Sequence, residues 1–349
     1  MNIAILSKYL PSSKRPKTGG VFYMTHSYAN ALQASGHEVT VFSVDERPID
    51  AIYDHTQIYL PDFFKKNRFL MYYIFPFFLR CIDLNLFDII HSTGDDWCLR
   101  KDRSNWVRVF HGSSLMEAKH SKKILRKLNH YLLHILELIS LRRCSHSVAI
   151  SKNTTDTLAC DEIIPCPVNS LFHKSVVKKA KTEDPSILFV GTFGGRKRGR
   201  LLLDIFLSQI LPVFPTSKLH MVMEERIENP AVLCHKNVAD QDLLDLYSQS
   251  WIFCLPSTYE GFGIPYAESL SAGTAVVATH NSGADEVLAS GVYGSIVSDD
   301  KLGEVIVELL SDNEKRNDFV KKGIVRGEDF SMEMYIESFE RIYRVMTKS

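Results

Sequence analysis

Two acidic side chains, Glu260 and Glu268, flank seven residues within PSTYEGFGIPYAESLSAGTAVVAT, which runs from Pro256 to Thr279. Upstream, Arg196, Lys197 and Arg198 fill the gap between Gly195 and Gly199. Carboxylates accept hydrogen bonds from sugar and ribose hydroxyls, and fixed cations neutralise a diphosphate, so the two sets together suit a sugar nucleotide. The apolar run Trp251 to Leu255 reads as an interior parallel strand, and Pro256 with Ser257 ends it at the edge where open α/β sheets bind ligands. Glu260 then falls on the exit loop. Gly261 and Gly263 flank Phe262, so the backbone can bend and approach a ligand. Pro265 suits the first turn of the next helix, whose N–H groups at Gly263 and Ile264 favour a diphosphate. Glu268, one turn further on, is placed to accept from ribose hydroxyls.

The elements that must position these groups alternate strand and helix. MNIAIL opens a sheet, the polar loop Ser7 to Thr18 leads to Gly19 and Gly20, and Val21, Met24, Tyr28, Ala31 and Leu32 then recur at helical spacing until Gly36. Gly19 and Gly20 therefore lie at a strand-to-helix turn able to cradle a phosphate. Glu38 to Val44 is a second strand, Arg47 to Asp62 irregular, FDIIH (Phe87 to His91) a third strand and VRVF (Val107 to Phe110) a fourth. His111 follows VRVF at a strand's C-terminal end beside Gly112, Ser113 and Ser114, at the ligand edge of the sheet; His91 reads as structural. Ser121 to Arg143 is a helix with Ile124, Leu128, Leu132, Ile135 and Leu136 on one side, and Ser147 to Ser151 is the last strand of a first domain.

A second domain opens with SILFVG (Ser186 to Gly191), whose exit loop TFGGRKRG joins a helix beginning LLLDIF. Lys218 to Met223 is another strand. Asp240 reads as the cap of a helix containing Leu243, Leu244, Leu246 and Tyr247, so the acidic pair Asp240 and Asp242 serves the helix dipole rather than a metal. AVVAT is a strand, GADEVL begins a helix, and Ser331 to Thr347 carries Tyr335, Phe339, Ile342 and Tyr343 at helical spacing.

The pair Glu260 and Glu268 with GFGIP between them resembles the E-x7-E element of family-4 retaining glycosyltransferases of GT-B fold, and SAGTAVVAT and GADEVL are similar to that family as well. The resemblance implies two Rossmann-like domains facing a central cleft: 1–168 for the acceptor, 169–330 for the nucleotide sugar, and a last helix, 331–349, packing back on the first domain. It implies transfer of a sugar from a nucleoside-diphosphate sugar to a hydroxyl of a polysaccharide, lipid-linked or other glycan acceptor, with retention. In the register FVGTFGGRKRG, Lys197 matches the family's phosphate-contacting lysine. The arginine that usually follows Gly191 is replaced by Thr192, which leaves Arg196 as its substitute. FHGSS is similar to the element whose histidine, here His111, meets the donor sugar, and Gly19-Gly20 to the family's N-terminal glycine loop. PCPVN (Pro165 to Asn169) matches the crossing between domains without its usual Asn-Gly. An inactive sugar-nucleotide-binding or scaffold protein of the same fold is the alternative, and its mark would be loss of Lys197, Glu260, Glu268 and His111.

Composition sets the bounds. A chain of 349 residues, 45% hydrophobic, exceeds one ordinary core. Lys+Arg and Asp+Glu both number 41, so no global charge draws nucleic acid, and any basic function is local. Seven scattered cysteines without a C-x-x-C pair indicate reduced thiols in the cytoplasm. No clustered ligands imply a metal, and no cofactor beyond the donor substrate is expected. Phe63 to Arg80 is apolar on nearly all sides, between Lys65, Lys66, Arg68 and Arg80. A buried helix kinked near Pro76 accounts for it; peripheral contact with the inner face of a membrane is the sharper reading.

Overall fold

The opening run Asn2–Leu6 shows no polar alternation and forms strand β1, with Ile3 through Leu6 fully buried, as in a strand covered on both faces. In this computed structural model, which describes residues 1–11, 20–61, 63–64, 68–99, 104–121, 123–174 and 180–348, the chain divides into two compact units, Met1–Pro165 with Tyr335–Ser349, and Cys166–Met334.

The first unit adds β2 (Glu38–Ser43), β3 (Asp54–Gln57), β4 (Ile89–Ser92), β5 (Trp106–Phe110), β6 (His146–Ala149) and β7 (Glu162–Ile163). Among the described residues they form one parallel sheet in the order β3-β2-β1-β4-β5-β6-β7. Its helices are α1 (Gly20–Ala34), α2 (Arg68–Leu79), α3 (Ser114–His120), α4 (Ile124–Leu141) and α5 (Lys152–Leu158). Two expectations are corrected here. The stretch read as irregular contains β3, and β6 is followed by β7, so SVAIS is not the last strand. Both are edge strands with partly exposed, polar residues, DHTQ and EI, that carry no apolar run to betray them. In α2, Met71, Phe75 and Leu79 are completely buried against β1, β2 and β4 residues such as Leu6, Phe42 and Ile90, with Pro76 inside the helix. Lys65 and Lys66 lie outside the described residues.

The second unit repeats the plan with β8 (Ser186–Val190), β9 (Lys218–Val222), β10 (Val232–His235), β11 (Ile252–Leu255), β12 (Ala275–Thr279) and β13 (Ser295–Val297), all parallel, in the order β10-β9-β8-β11-β12-β13. Counted from β8 this is 3-2-1-4-5-6, the doubly wound Rossmann order. Its helices are α6 (Leu171–Lys174), α7 (Gly199–Ile205, continued by a π-helical turn Phe206–Ile210), α8 (Asp240–Gln249), α9 (Ile264–Ser271), α10 (Ser282–Val287), α11 (Leu302–Ser311) and α12 (Asn313–Glu328). Asp240 is not the cap of α8: Ala239 holds that position, and Asp240 starts the first turn, accepting a hydrogen bond from Asn169 Nδ2 at 3.0 Å. A final helix, α13 (Met332–Lys348), brings Tyr343 to the first unit, where its hydroxyl lies 2.9 Å from the Tyr28 hydroxyl and 2.6 Å from His91 Nδ1. His91 is thereby a core residue.

Candidate active site

In the second sheet the winding reverses between β8 and β11, and at such a reversal the loops leaving the two strands diverge and open a crevice. Gly191 leaves β8 there, and the Ser257–Gly263 loop leaves β11. The loops are stitched together by Thr258 N donating to Arg196 O at 2.9 Å and Ser257 Oγ donating to the same oxygen at 3.2 Å. Arg196 Nη1 stands 2.7 Å from Glu260 Oε1 and donates to Tyr259 O at 2.6 Å. Lys197 Nζ lies 3.7 Å from that same Oε1, and Ser257 Oγ donates to it at 2.8 Å. Three donors thus converge on one oxygen of a carboxylate that is only 5% exposed. Arg198 takes another course. Left-handed at φ 54°, it donates to Pro256 O at 2.6 Å and to Thr279 Oγ1 at 3.0 Å, and it grips Asp299 through two contacts of 2.5 and 2.9 Å. It ties the ends of β11 and β12 together.

Three glycines make this convergence sterically possible. A Cβ on Gly191 would stand 2.6 Å from Lys197 Cδ, so bare backbone at the β8 exit lets the lysine stem lie across it. Gly263 caps α9 at φ 97°, where a side chain would be strained and would meet Tyr266 at 2.5 Å. A Cβ on Gly283, in α10, would fall 2.7 Å from Glu260 Cβ and 2.6 Å from Phe262 O. No side chain caps the α9 N-terminus, and Pro265 occupies its first turn. Phe262 is buried edge-on against Phe330, so its ring anchors the turn from below, while Ile264 is half-buried at the first helical position. Thr192 is exposed and donates within its own loop to Gly194 O at 2.9 Å.

Glu268 accepts from the Tyr247 hydroxyl at 2.9 Å. Burial pushes its carboxyl up to about 7, and Asp240 adds to the shift; the Tyr247 bond and the nearby Lys197 oppose it. Lys197, placed between Glu260 and Glu268, is held below the ordinary lysine range by desolvation and by Arg196, against the pull of both glutamates. In the first unit, His111 follows β5, with both ring nitrogens buried and lacking a partner among the described residues. Desolvation, with Arg108 beside it, pushes it down to about 3, so the ring is neutral at physiological pH. Gly112 after it sits at φ 133°. Gly20 opens α1, and Gly19 lies outside the described residues. Arg196, Lys197, Glu260, Glu268, Gly191 and Gly263 are therefore gathered in one unit, while Gly20 and His111 belong to the other. Sequence reasoning passed over Ser257, Tyr247 and the close approach of Gly283, because hydroxyls and small residues show their use only against a folded neighbour.

A family model described as Glycosyltransferase Family 4 matches residues 18–170, and one described as Glycosyl transferases group 1 matches residues 216–326. The O-antigen chain mannosyltransferase B of Escherichia coli is 28% identical over 172 residues, 42% of this chain and 42% of that protein, so the likeness spans less than half of that relative. Among solved structures, sucrose-phosphate synthase of Thermosynechococcus elongatus superposes with a TM-score of 0.76 at 19% identity, covering 99% of this chain and 98% of that one. HepE of Anabaena, solved in complex with UDP-glucose, gives 0.70 at 12% identity, covering 98% and 99%. At these identities the two structures speak for the fold.

Proposed function

Since this chain belongs to the family-4, group-1 glycosyltransferases of GT-B fold, we propose that it moves a sugar from a nucleoside-diphosphate sugar to a hydroxyl of a glycan or lipid-linked acceptor, with retention of anomeric configuration. The observation that carries this reading is the convergence of Arg196 and Lys197 on Glu260 at the sheet reversal, beside the uncapped end of α9. Breaking the anomeric bond leaves an oxocarbenium-like carbon and sends an electron pair to the diphosphate, so the site needs fixed positive charge behind the leaving oxygen. Lys197, Arg196 and the N–H groups at the start of α9 supply it, and the loop leaving β8 at Gly191, whose own N–H already donates to Val222 O at 3.1 Å, offers the Thr192 N–H to the phosphates. The two cations share the single Glu260 carboxylate, so the group keeps a net positive charge for the diphosphate. Glu260 holds sugar hydroxyls or faces the developing positive charge. Glu268 holds the ribose. His111, a neutral ring, would accept from one sugar hydroxyl and donate to another.

Thermal stabilisation across a panel of sugar nucleotides tests the donor class, because a ligand at 100 times its Kd adds about 2.7 kcal/mol of stability. The stabilising donor is then offered with glycan and lipid-linked acceptors, and the anomeric configuration of the product is read by NMR. Failure of every sugar nucleotide to stabilise the protein overturns the proposal; binding without transfer or hydrolysis points instead to an inactive binding protein.

A further inference from the structure

The turn that carries Glu260 and opens α9 is gripped on two sides. On one side lies α10: Ser282 Oγ donates to Glu260 O at 3.1 Å, and Gly283 sits so close that a Cβ there would stand 2.6 Å from Phe262 O. On the other lies Phe330, 1% exposed, edge-on to Phe262 with ring centroids 5.6 Å apart. Helix α10 runs only from Ser282 to Val287, and the carbonyls that end a helix lack donors within its regular bonding pattern.

Arg326 joins the two grips. From the last turn of α12 its Nε donates to Val287 O at 3.3 Å and its Nη2 to Glu286 O at 3.2 Å, while the guanidinium carbon lies 4.9 Å from the Phe330 ring centroid. Nη1 turns back to Asp329 Oδ2 at 2.8 Å, and the Tyr293 ring flanks the guanidinium at 5.6 Å. A basic residue in a helix's last turn ordinarily serves that helix's own dipole. Arg326 serves the last turn of a different helix, because its planar fork spans two successive carbonyls while its face covers a ring. Helix α12 has little freedom to carry the arginine away. A Cβ on Gly323 would meet Leu270 Cδ2 at 2.9 Å and one on Gly327 would meet Ser271 Cα at 2.9 Å, so α12 lies directly against α9. Phe330 is held as well, since its carbonyl accepts from Val168 N at 2.8 Å. All of these residues belong to the second unit.

We infer that Arg326 is a positioning residue for the transfer reaction: by tying the end of α10 to Phe330 it keeps the Glu260–Gly263 turn clamped between them, and so sets where the Glu260 carboxylate and the first N–H groups of α9 stand. This rests on the proposed reading of that site as the transfer centre. The test compares Arg326→Met with Arg326→Lys in the full chain. Methionine keeps an apolar stem and supplies no donor, whereas lysine keeps the charge and can still donate to both carbonyls. The arginine side chain is 24% exposed, so neither replacement leaves a sealed void. Arg326→Met should lower kcat about tenfold or more while nucleoside diphosphate Kd stays within about threefold, since a misplacement of about 1 Å costs far more in rate than in affinity. Arg326→Lys should transfer within about threefold of wild type. In a Glu260→Gln background Arg326→Met should cost less than about twofold further, because both changes act through one carboxylate. Amide hydrogen exchange in the ligand-free protein reads the same clamp without turnover. It should quicken about tenfold in Arg326→Met at Asp285 and Leu288, bonded to Asn281 O and Ala284 O, and at Tyr266, bonded to Gly263 O, while Gly191, bonded to Val222 O, keeps its wild-type rate.

The inference is overturned if Arg326→Met transfers within about twofold of wild type, if lysine fares no better than methionine, or if the loss is undiminished in the Glu260→Gln background. Unchanged exchange at Tyr266 overturns it equally. A wild type that transfers from no sugar nucleotide removes the reading of the site instead, and the exchange rates then decide alone whether Arg326 holds the turn.

Discussion

Replacing Glu268 with glutamine should change stability and donor affinity in opposite directions, and only above a definite pH. Burial raises the Glu268 carboxyl to about 7 in the folded protein, whereas a glutamate in an unfolded chain titrates near 4.3. Between those values the folded state binds more protons than the unfolded state, so this group's contribution to stability is complete below about pH 4.3 and is lost as pH rises through about 7. The gap between about 4.3 and about 7 corresponds to about 3.5 kcal/mol by pH 8, an upper bound because Glu268 is partly open to solvent. Glutamine keeps the shape and can still accept from Tyr247, yet it carries no charge to desolvate. Urea midpoints of wild type and Glu268→Gln should therefore nearly coincide at pH 4 and separate progressively up to about pH 7, with the variant more stable; groups common to both proteins cancel in the difference. Donor affinity should run the other way. Wild type should bind a sugar nucleotide more weakly as pH falls through about 7, since a protonated carboxyl loses acceptor capacity for ribose hydroxyls, and the variant should bind weakly without that slope. If the two proteins track one another within about 0.5 kcal/mol from pH 5 to 8, the desolvation argument fails.

Lys197→Ala should lower kcat by roughly 10² to 10³, because its attraction grows as charge collects on the departing diphosphate. Glu260→Gln should leave nucleoside diphosphate binding nearly intact while transfer drops steeply, and transfer within a few-fold of wild type would remove Glu260 from the site. Gly283→Ala should lower the melting temperature and reduce turnover by about tenfold or more, since its Cβ would stand 2.6 Å from the Phe262 carbonyl oxygen and 2.7 Å from Glu260 Cβ and displace the loop that carries the carboxylate. Turnover should persist in excess chelator, measured with the best donor from the panel. Near-complete loss restored by Mn²⁺ or Mg²⁺ would transfer the charge-stabilising role from Lys197 and Arg196 to a metal.

What the sequence determines by itself is the interior of each sheet. Strands β1, β8, β11 and β12 are buried on both faces, so their runs are apolar without alternation and legible in isolation, and the glycine turn between Glu260 and Glu268 announces a chain reversal at a strand exit. Edge strands such as β3 and β7 have one neighbour and an exposed side, and a polar tetrapeptide like DHTQ gives no sign that it will pair. Within the basic run the family register singles out Lys197 and Arg196, but what the third cation does is decided by the left-handed turn at Arg198, which sends it to clamp Asp299 while the other two face Glu260. Helix α4 shows the limit most plainly. Ile124, Leu128, Leu132 and Ile135 recur at the same spacing whether their stripe meets a core or stays uncovered, because periodicity records that a helix has an apolar face and not what lies opposite it. Which faces find a partner is settled by how the elements stack, and in α4 the stacking takes Asn129, Glu137 and Ser140 inward and leaves the apolar stripe outside.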